Sequence, residues 1–165
     1  MRLGPDWYLE NSRTALWQRP PIPIKGLVID PTIVVALAFF EHLRTGVIEA
    51  AGTTPLVAPA SIETDLVHLG ADAVRSGLLD LAEASDLAAF FNALPVRHIA
   101  ASPGLTIELR ADRGVSARHA PYVAVAREYA CTIMTFDVEL TRLCRQLHVP
   151  RLRYAAGYKI HRRSH

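Results

Sequence analysis

The chain has few of the residues that build disulfide frameworks or phosphate-binding loops. Its two cysteines, Cys131 and Cys144, fall inside a predicted strand and a predicted helix, and their spacing is not typical of a metal site. We therefore expect two buried thiols in a reducing compartment, the cytoplasm. The nine glycines form no cluster at a strand-to-helix turn. This argues against a P-loop or dinucleotide-binding enzyme.

No apolar run approaches the roughly 20 residues that a membrane-spanning helix needs. The longest candidate, GLVIDPTIVVALAFF, is interrupted by Asp30 and Pro31. The first ten residues, MRLGPDWYLE, lack the basic flank and apolar centre of a signal peptide. We expect a cytoplasmic protein that does not bind membranes.

Acidic residues are absent from the C-terminal end of the chain. Residues 1–140 hold 11 Lys and Arg against 16 Asp and Glu, whereas residues 141–165 hold seven basic residues and no acid. Such a basic end attracts phosphate groups. It is equally typical of a solubilising terminus, and both interpretations stay open.

Half of the residues are hydrophobic, which is enough for one folded domain of this length. We predict an N-terminal extension over residues 1–25, a core domain over 26–155 and a basic tail over 156–165. The PPIPIKG stretch disfavours helix and indicates an extended arm or linker before the core. The extension contains three large aromatic residues, Trp7, Tyr8 and Trp17.

The core alternates short apolar segments with helical patterns. Strands are predicted at 27–30, 56–58, 96–101, 132–135 and 151–155. Helices are predicted at 32–44, 60–69, 104–112, 116–129 and 138–147, with one or two more within 71–93. This alternation predicts an α/β three-layer sandwich with a mostly parallel central sheet. In such a fold ligands bind beyond the carboxyl ends of the strands.

Two acids, Asp30 and Asp137, stand at the ends of predicted strands. Each could simply cap the helix that follows it. At one edge of a parallel sheet, however, the two carboxylates would repel each other and cost stability unless a cation neutralised them. Carboxylate oxygens suit Mg²⁺ or Mn²⁺ better than zinc.

Further candidate acids, Glu63 and Asp65, lie in the helix predicted over 60–69. Two residues apart on a helix, these side chains point roughly 200° away from each other and cannot both face one site. The apolar stripe that they flank on different sides consists of Ile62, Leu66 and Leu69. The pattern leaves the choice between the two acids open.

With these segments in this order, the chain resembles the PIN-domain ribonucleases, most closely the VapC-like toxins of toxin–antitoxin pairs. The resemblance covers about residues 27–155. A strand ends in Asp within LVIDPTIVVALAF, and a strand–proline–helix unit carries an acid within PLVAPASIETDLVHL. Later, the helix HAPYVAVA leads into TFD, and YVAVAREYACTIMTFDVEL is the most specific piece.

The resemblance implies a metal-dependent endoribonuclease that hydrolyses RNA phosphodiester bonds. It implies that Asp30, Asp65 and Asp137 hold Mg²⁺ or Mn²⁺, and Glu63 stands where some members of the family carry a further acid. Thr32 and Thr135 are expected to line the site. Candidate contacts to the RNA backbone are Arg118 and Arg142. The expected partners are RNA, a small antitoxin protein and a second copy of the chain in a homodimer.

The sequence departs from the family at His119, where the third acid is expected, three residues before Tyr122. An imidazole removes a negative charge and favours Mn²⁺, Fe²⁺ or Zn²⁺ over Mg²⁺. His119 is thus a candidate catalytic residue that could instead hydrogen-bond a phosphate or a neighbouring carboxylate. The alternative function is a degenerate, weakly active or inactive PIN domain that acts as an RNA-binding or protein-interaction module.

Overall fold

The computed structural model describes Trp17 and residues 21–153 of the chain. The remainder of the predicted N-terminal extension, including Trp7 and Tyr8, lies outside the described residues, and so does the predicted basic tail over 156–165.

In the part of the chain that the structure describes, four strands form one sheet, in the order β3-β2-β1-β4, and every neighbouring pair is parallel. Their bounds are Leu27–Ile29 for β1, Leu56–Pro59 for β2, Val96–Ile99 for β3 and Thr132–Met134 for β4. All three residues of β1 are buried, as expected of a central parallel strand that is covered on both faces.

Seven helices are found in the described part of the chain. They are α1 (Pro31–Phe39), α2 (Glu41–Ala51), α3 (Ile62–Arg75), α4 (Leu81–Ala93), α5 (Pro103–Arg113), α6 (Ala120–Glu128) and α7 (Val138–Gln146). Helix α6 packs against β1, β2, β4 and α5, whereas α1 packs against β1, α3 and α4. The expected α/β three-layer sandwich with a parallel sheet is confirmed. None of the described helices has the length and apolar character needed to cross a membrane.

The single helix predicted over 32–44 is wrong, because the structure has two helices that meet at Phe40. The backbone of Phe40 leaves the helical region, with φ −118° and ψ 89°. The guanidinium of Arg44 donates to the carbonyl oxygens of Leu37 and Ala38, at 2.7 and 3.0 Å. These carbonyl groups lie in the last turn of α1, where a helix has no further N–H groups to donate to them. Arg44 supplies the missing donors and so stabilises the break between the two helices.

The boundary predicted near residue 70 is also wrong, since α3 continues to Arg75. Gly70 is buried within α3 and faces Ala84 of α4, so the helix continues through this glycine where it packs against its neighbour. Helix α4 begins instead after Asp80, whose carboxylate accepts the backbone N–H of Glu83 at 2.8 Å. The Glu83 carboxylate accepts the N–H of Asp80 at the same distance, which completes a capping box.

Residues 21–26 contain neither helix nor strand and run beside the end of α6. The N–H groups of Ile22 and Ile24 donate to the carbonyls of Glu128 and Tyr129, at 2.7 and 3.1 Å. Farther along the chain, α6 begins at Ala120 rather than near the predicted residue 116. The predicted strand at 151–155 reduces, within the described residues, to one bridge between Ile133 and Arg151.

Candidate active site at the carboxyl edge of the sheet

Asp30 meets Thr135 where β1 and β4 end side by side. Ile29 lies opposite Met134 in the parallel register, so the residues that follow them are neighbours. The hydroxyl of Thr135 donates to Oδ2 of Asp30 at 2.7 Å, and the hydroxyl of Thr32 donates to Oδ1 at 2.6 Å. Asp30 also caps α1 by accepting the N–H of Ile33, so the capping role and the site role coexist.

The carboxyl group of Asp30 is almost fully buried, with 3% of the residue exposed. Burial raises its pKa above the usual range, and the charge of Asp137 adds to that rise, although the hydrogen bonds from Thr32, Thr135 and Ile33 oppose it. The strand-end carboxylates are therefore close enough to repel each other. A positive charge placed here would stabilise the ionised form of Asp30.

The loop after β4 is tied to this network by its backbone. The N–H of Phe136 donates to the hydroxyl oxygen of Thr32 at 2.9 Å, and the N–H of Asp137 donates to that of Thr135 at 2.8 Å. Oδ1 of Asp137 accepts the N–H of Leu140 and so caps α7. Asp137 is thereby fixed beside the end of β1.

Asp137 also lies between two basic side chains. Its Oδ2 is 3.3 Å from Nε2 of His119 and 3.6 Å from the guanidinium of Arg118. Burial acts to raise the pKa of Asp137, but the Leu140 N–H, His119 and Arg118 outweigh it and hold that pKa below its usual range. Asp137 is therefore the well-neutralised carboxylate of the site, whereas Asp30 is not.

Both ring nitrogens of His119 have partners, and the side chain is buried. Nε2 faces Asp137, while Nδ1 lies 3.0 Å from the hydroxyl of Ser116. An ionised carboxylate can only accept, so Nε2 must carry the proton in this contact. In this arrangement His119 holds Asp137 in place with a nitrogen that is closed to a metal ion.

Asp65 reaches the site through Tyr122, whose hydroxyl donates to Oδ2 of Asp65 at 2.6 Å. Burial raises the pKa of Tyr122, followed by the hydrogen bond to Asp65 and the charges of Asp65 and Asp30. The charges of both carboxylates, Asp65 and Asp30, therefore act on the hydroxyl of Tyr122. Glu63 points elsewhere and pairs with Nδ1 of His98 at 3.5 Å. Of the two acids on α3, the geometry brings Asp65 to the site.

The two candidate RNA-contacting arginines differ in their surroundings. Arg118 is about half exposed beside Asp137 and, like Asp65, lines a groove of about 800 Å³. The apolar part of that groove comes from α1 and α3 and from the loop after α3 (Val35, Phe39, Phe40, Leu69, Leu78 and Leu79). Arg142, by contrast, forms an exposed ion pair with Glu139 one helical turn away. Arg118 is the better placed of the two.

Among Trp17 and residues 21–153, no three His, Cys, Asp or Glu side chains lie close enough together to hold a metal ion as they stand. The donor chemistry nevertheless suits a hard cation, since Asp30, Asp65 and Asp137 offer only carboxylate oxygens. Mg²⁺ keeps several waters and is often bound through one or two carboxylates. Among the described residues these acids do not form a closed protein cage, so an ion held here would have to keep most of its waters.

Sequence reasoning missed three polar residues near this edge. Tyr122 is part of the quoted motif, but its hydrogen bond to Asp65 could not be read from it, nor could the contact of Ser116 with His119. The hydroxyl of Ser61, just after β2, is buried and has no hydrogen-bond partner among the described residues. A buried hydroxyl in that state is one that a bound water or ligand would satisfy.

Neither a comparison with protein-family models nor one with curated proteins finds a match. Among solved structures, the chain is similar to PAE2754 from Pyrobaculum aerophilum, known from a crystal structure, with a TM-score of 0.53 and 18% sequence identity. The alignment covers 82% of this chain and 96% of that one. At this identity the likeness shows the fold alone.

Proposed function

We propose that the protein is a PIN-like, metal-dependent ribonuclease of the VapC type that hydrolyses RNA phosphodiester bonds at the carboxyl edge of its sheet. The observation that carries this proposal is the buried carboxyl group of Asp30, which accepts a hydrogen bond from Thr135 at the end of β4. Burial raises the pKa of Asp30, and the charge of Asp137 adds to that rise. Burial, and to a smaller degree the charge of Asp137, disfavours the ionised form of the Asp30 carboxyl group unless a cation neutralises it. A divalent cation bound by carboxylate oxygens would supply that neutralisation.

A bound Mg²⁺ or Mn²⁺ would supply an activated water and neutralise charge that develops on the phosphate. Asp30 and Asp137 would hold the ion together with Asp65, which is hydrogen-bonded to Tyr122. Thr32 and Thr135 keep the Asp30 carboxylate in one orientation through its two oxygens. Arg118 would bind a phosphate of the RNA backbone, because a guanidinium offers two parallel donors.

The first test replaces Asp30 by Asn. Asparagine is as good an N-cap as aspartate, so α1 is expected to keep its start while the site loses a negative charge. Cleavage of single-stranded RNA in Mg²⁺ or Mn²⁺ should fall by about 100-fold or more, as it should for the unmodified protein in chelator.

The matched control is Asp86→Asn, which removes an equal charge from an exposed position on α4. It should leave cleavage unchanged. RNA cleavage that needs no metal, or that survives Asp30→Asn, would contradict the proposed mechanism.

A second candidate function is a PIN-like domain that cleaves poorly or not at all and serves to bind RNA or a protein. It is favoured by the contact of His119 with Asp137, because a hydrogen-bonded imidazole stands where the resemblance expects a metal-binding acid. RNA, a small antitoxin and a homodimer remain predicted partners under either function.

The substitution His119→Asp separates the two candidates. Aspartate caps a helix well, so the start of α6 should persist while a carboxylate is gained beside Asp137. If the imidazole of His119 weakens metal binding at the site, this variant should bind Mn²⁺ roughly 10-fold tighter, measured by calorimetry. It should also cleave RNA faster. Ready cleavage by the unmodified protein in Mg²⁺ would instead exclude the second candidate.

A further inference from the structure

An apolar groove adjoins the candidate active site and is not used by the proposed chemistry. Its walls come from α1, α3 and the loop after α3, and we call it the α1–α3 groove. Its volume, about 800 Å³, lies in the range of pockets that hold small organic ligands. A mostly apolar lining with a few polar side chains is the usual composition of such pockets. The groove is therefore a candidate site for an apolar or aromatic group of a ligand.

An accessible aromatic side chain lines this groove. Phe39, the last residue of α1, remains 38% exposed. Among Trp17 and residues 21–153, no other ring and no cation stacks on Phe39, whereas its neighbour Phe40 meets the ring of His42 edge-on. An exposed aromatic ring in an apolar groove marks a contact surface rather than part of the core.

Two polar residues of the lining have hydrogen-bonding capacity to spare. Arg118 is about half exposed and comes only within 3.6 Å of Asp137, so its guanidinium keeps N–H donors for a phosphate. His68 lies one helical turn after Asp65, is exposed, and makes no hydrogen bond or ion pair within the described part of the chain. Asp72, by contrast, is already paired with a neighbouring arginine of α3.

These features match the parts of one nucleotide. The apolar walls and Phe39 suit the faces of a base, His68 suits its polar edge, and Arg118 suits a phosphate. The groove shares Asp65 and Arg118 with the candidate active site. A nucleotide next to a phosphate held at the carboxylates would therefore border the groove. This continuity favours the RNA substrate over a separate protein ligand as the occupant.

We propose that the α1–α3 groove receives one unpaired nucleobase of the RNA strand while Arg118 binds an adjoining phosphate. This inference rests on the proposed function and adds a base-binding subsite to it. A base inside a duplex is stacked and paired, so only an unpaired nucleotide can enter the groove. The groove would thus fix the position of the strand along the carboxylates and select single-stranded RNA.

The test measures the affinity of the full chain for a fluorescein-labelled single-stranded RNA of about ten nucleotides by fluorescence anisotropy. All proteins carry Asp30→Asn and are kept in Mg²⁺, so that the RNA stays intact. Ala73→Leu fills part of the groove with a larger side chain, and Phe39→Ala removes its accessible ring. Each should weaken binding by about 5- to 100-fold, the contribution of one stacked base.

Two controls separate base insertion from other effects. Ala71→Leu makes the same change on the same helix, at an exposed position that lines the separate cleft between α3 and α4, and should leave RNA binding unchanged. An RNA in which abasic linkers replace the bases should bind Ala73→Leu, Phe39→Ala and their Asp30→Asn parent alike, because it has no base to insert. Melting temperatures check that each variant is folded.

Unchanged binding of the base-bearing RNA by either groove variant would overturn this inference alone, because metal-dependent cleavage would still support the proposed function. An equal loss on abasic RNA would also overturn it, since the groove would then act on something other than a base. If the Asp30→Asn parent binds neither RNA, both the proposed function and the inference fail, so the two failures are distinguishable.

Discussion

At the scale of single residues, Tyr122 shows how the core positions the site. Its side chain is almost fully buried, and its hydroxyl donates a hydrogen bond to Asp65 on α3. Tyr122 is thus an aromatic residue of the core whose hydroxyl group takes part in the polar contacts of the site. The same contact separates Asp65 from Glu63, which the helical pattern alone could not do.

Replacing Tyr122 by Phe should lower the free energy of unfolding by about 1–2 kcal/mol, because the Asp65 carboxylate loses a charge-assisted hydrogen bond inside a partly buried site. Urea denaturation measures this loss. Tyr129→Phe is the matched control, since the hydroxyl of Tyr129 makes no hydrogen bond within the described part of the chain. Equal losses from the two changes would show that the bond to Asp65 contributes nothing.

At the scale of helices and strands, the element types were predicted well and the helix boundaries were not. The alternation of apolar strands and amphipathic helices follows from local periodicity, and the strand-end positions of Asp30 and Asp137 followed with it. The break at Phe40 depends on the Arg44 side chain reaching back to α1. That contact is a feature of the folded chain, so apolar periodicity did not reveal it.

The capping box of α4 gives a prediction at the same scale. Asp80→Ala removes the acceptor for the N–H of Glu83 and should lower the free energy of unfolding by about 1 kcal/mol. Thermal or urea denaturation measures it. Asp86→Ala, within the same helix at an exposed position, should be neutral or slightly stabilising, since alanine favours helix and no cap is lost. A loss from Asp86→Ala as large as that from Asp80→Ala would contradict the assigned cap.

At the scale of the whole molecule, the three-layer packing buries both thiols. Cys131 and Cys144 are 1% and 2% exposed, which agrees with the sequence expectation of buried, unpaired cysteines. Burial raises the pKa of both, and that of Cys144 to about 11 from an ordinary value of 9.0. The folded state therefore keeps a proton on Cys144 that the unfolded chain releases at lower pH.

It follows that the stabilising effect of the Cys144 thiol is fully present below pH 9 and is lost as the pH rises towards 11. The free energy of unfolding of the unmodified protein should fall more steeply over this range than that of Cys144→Ala, which has no thiol to titrate. Urea denaturation at several pH values measures both slopes. Parallel slopes would show that the thiol titrates alike in the two states.

The sequence by itself determined the alternation of strands and helices, the parallel sheet, the acids at the strand ends and the buried cysteines. These follow from side-chain period and from neighbours along the chain. Only the tertiary structure decided that Asp65 rather than Glu63 meets Tyr122, that Thr135 holds Asp30, and that His119 is paired with Asp137. Those partners are 57, 105 and 18 residues apart, so packing alone brings them into hydrogen-bond distance.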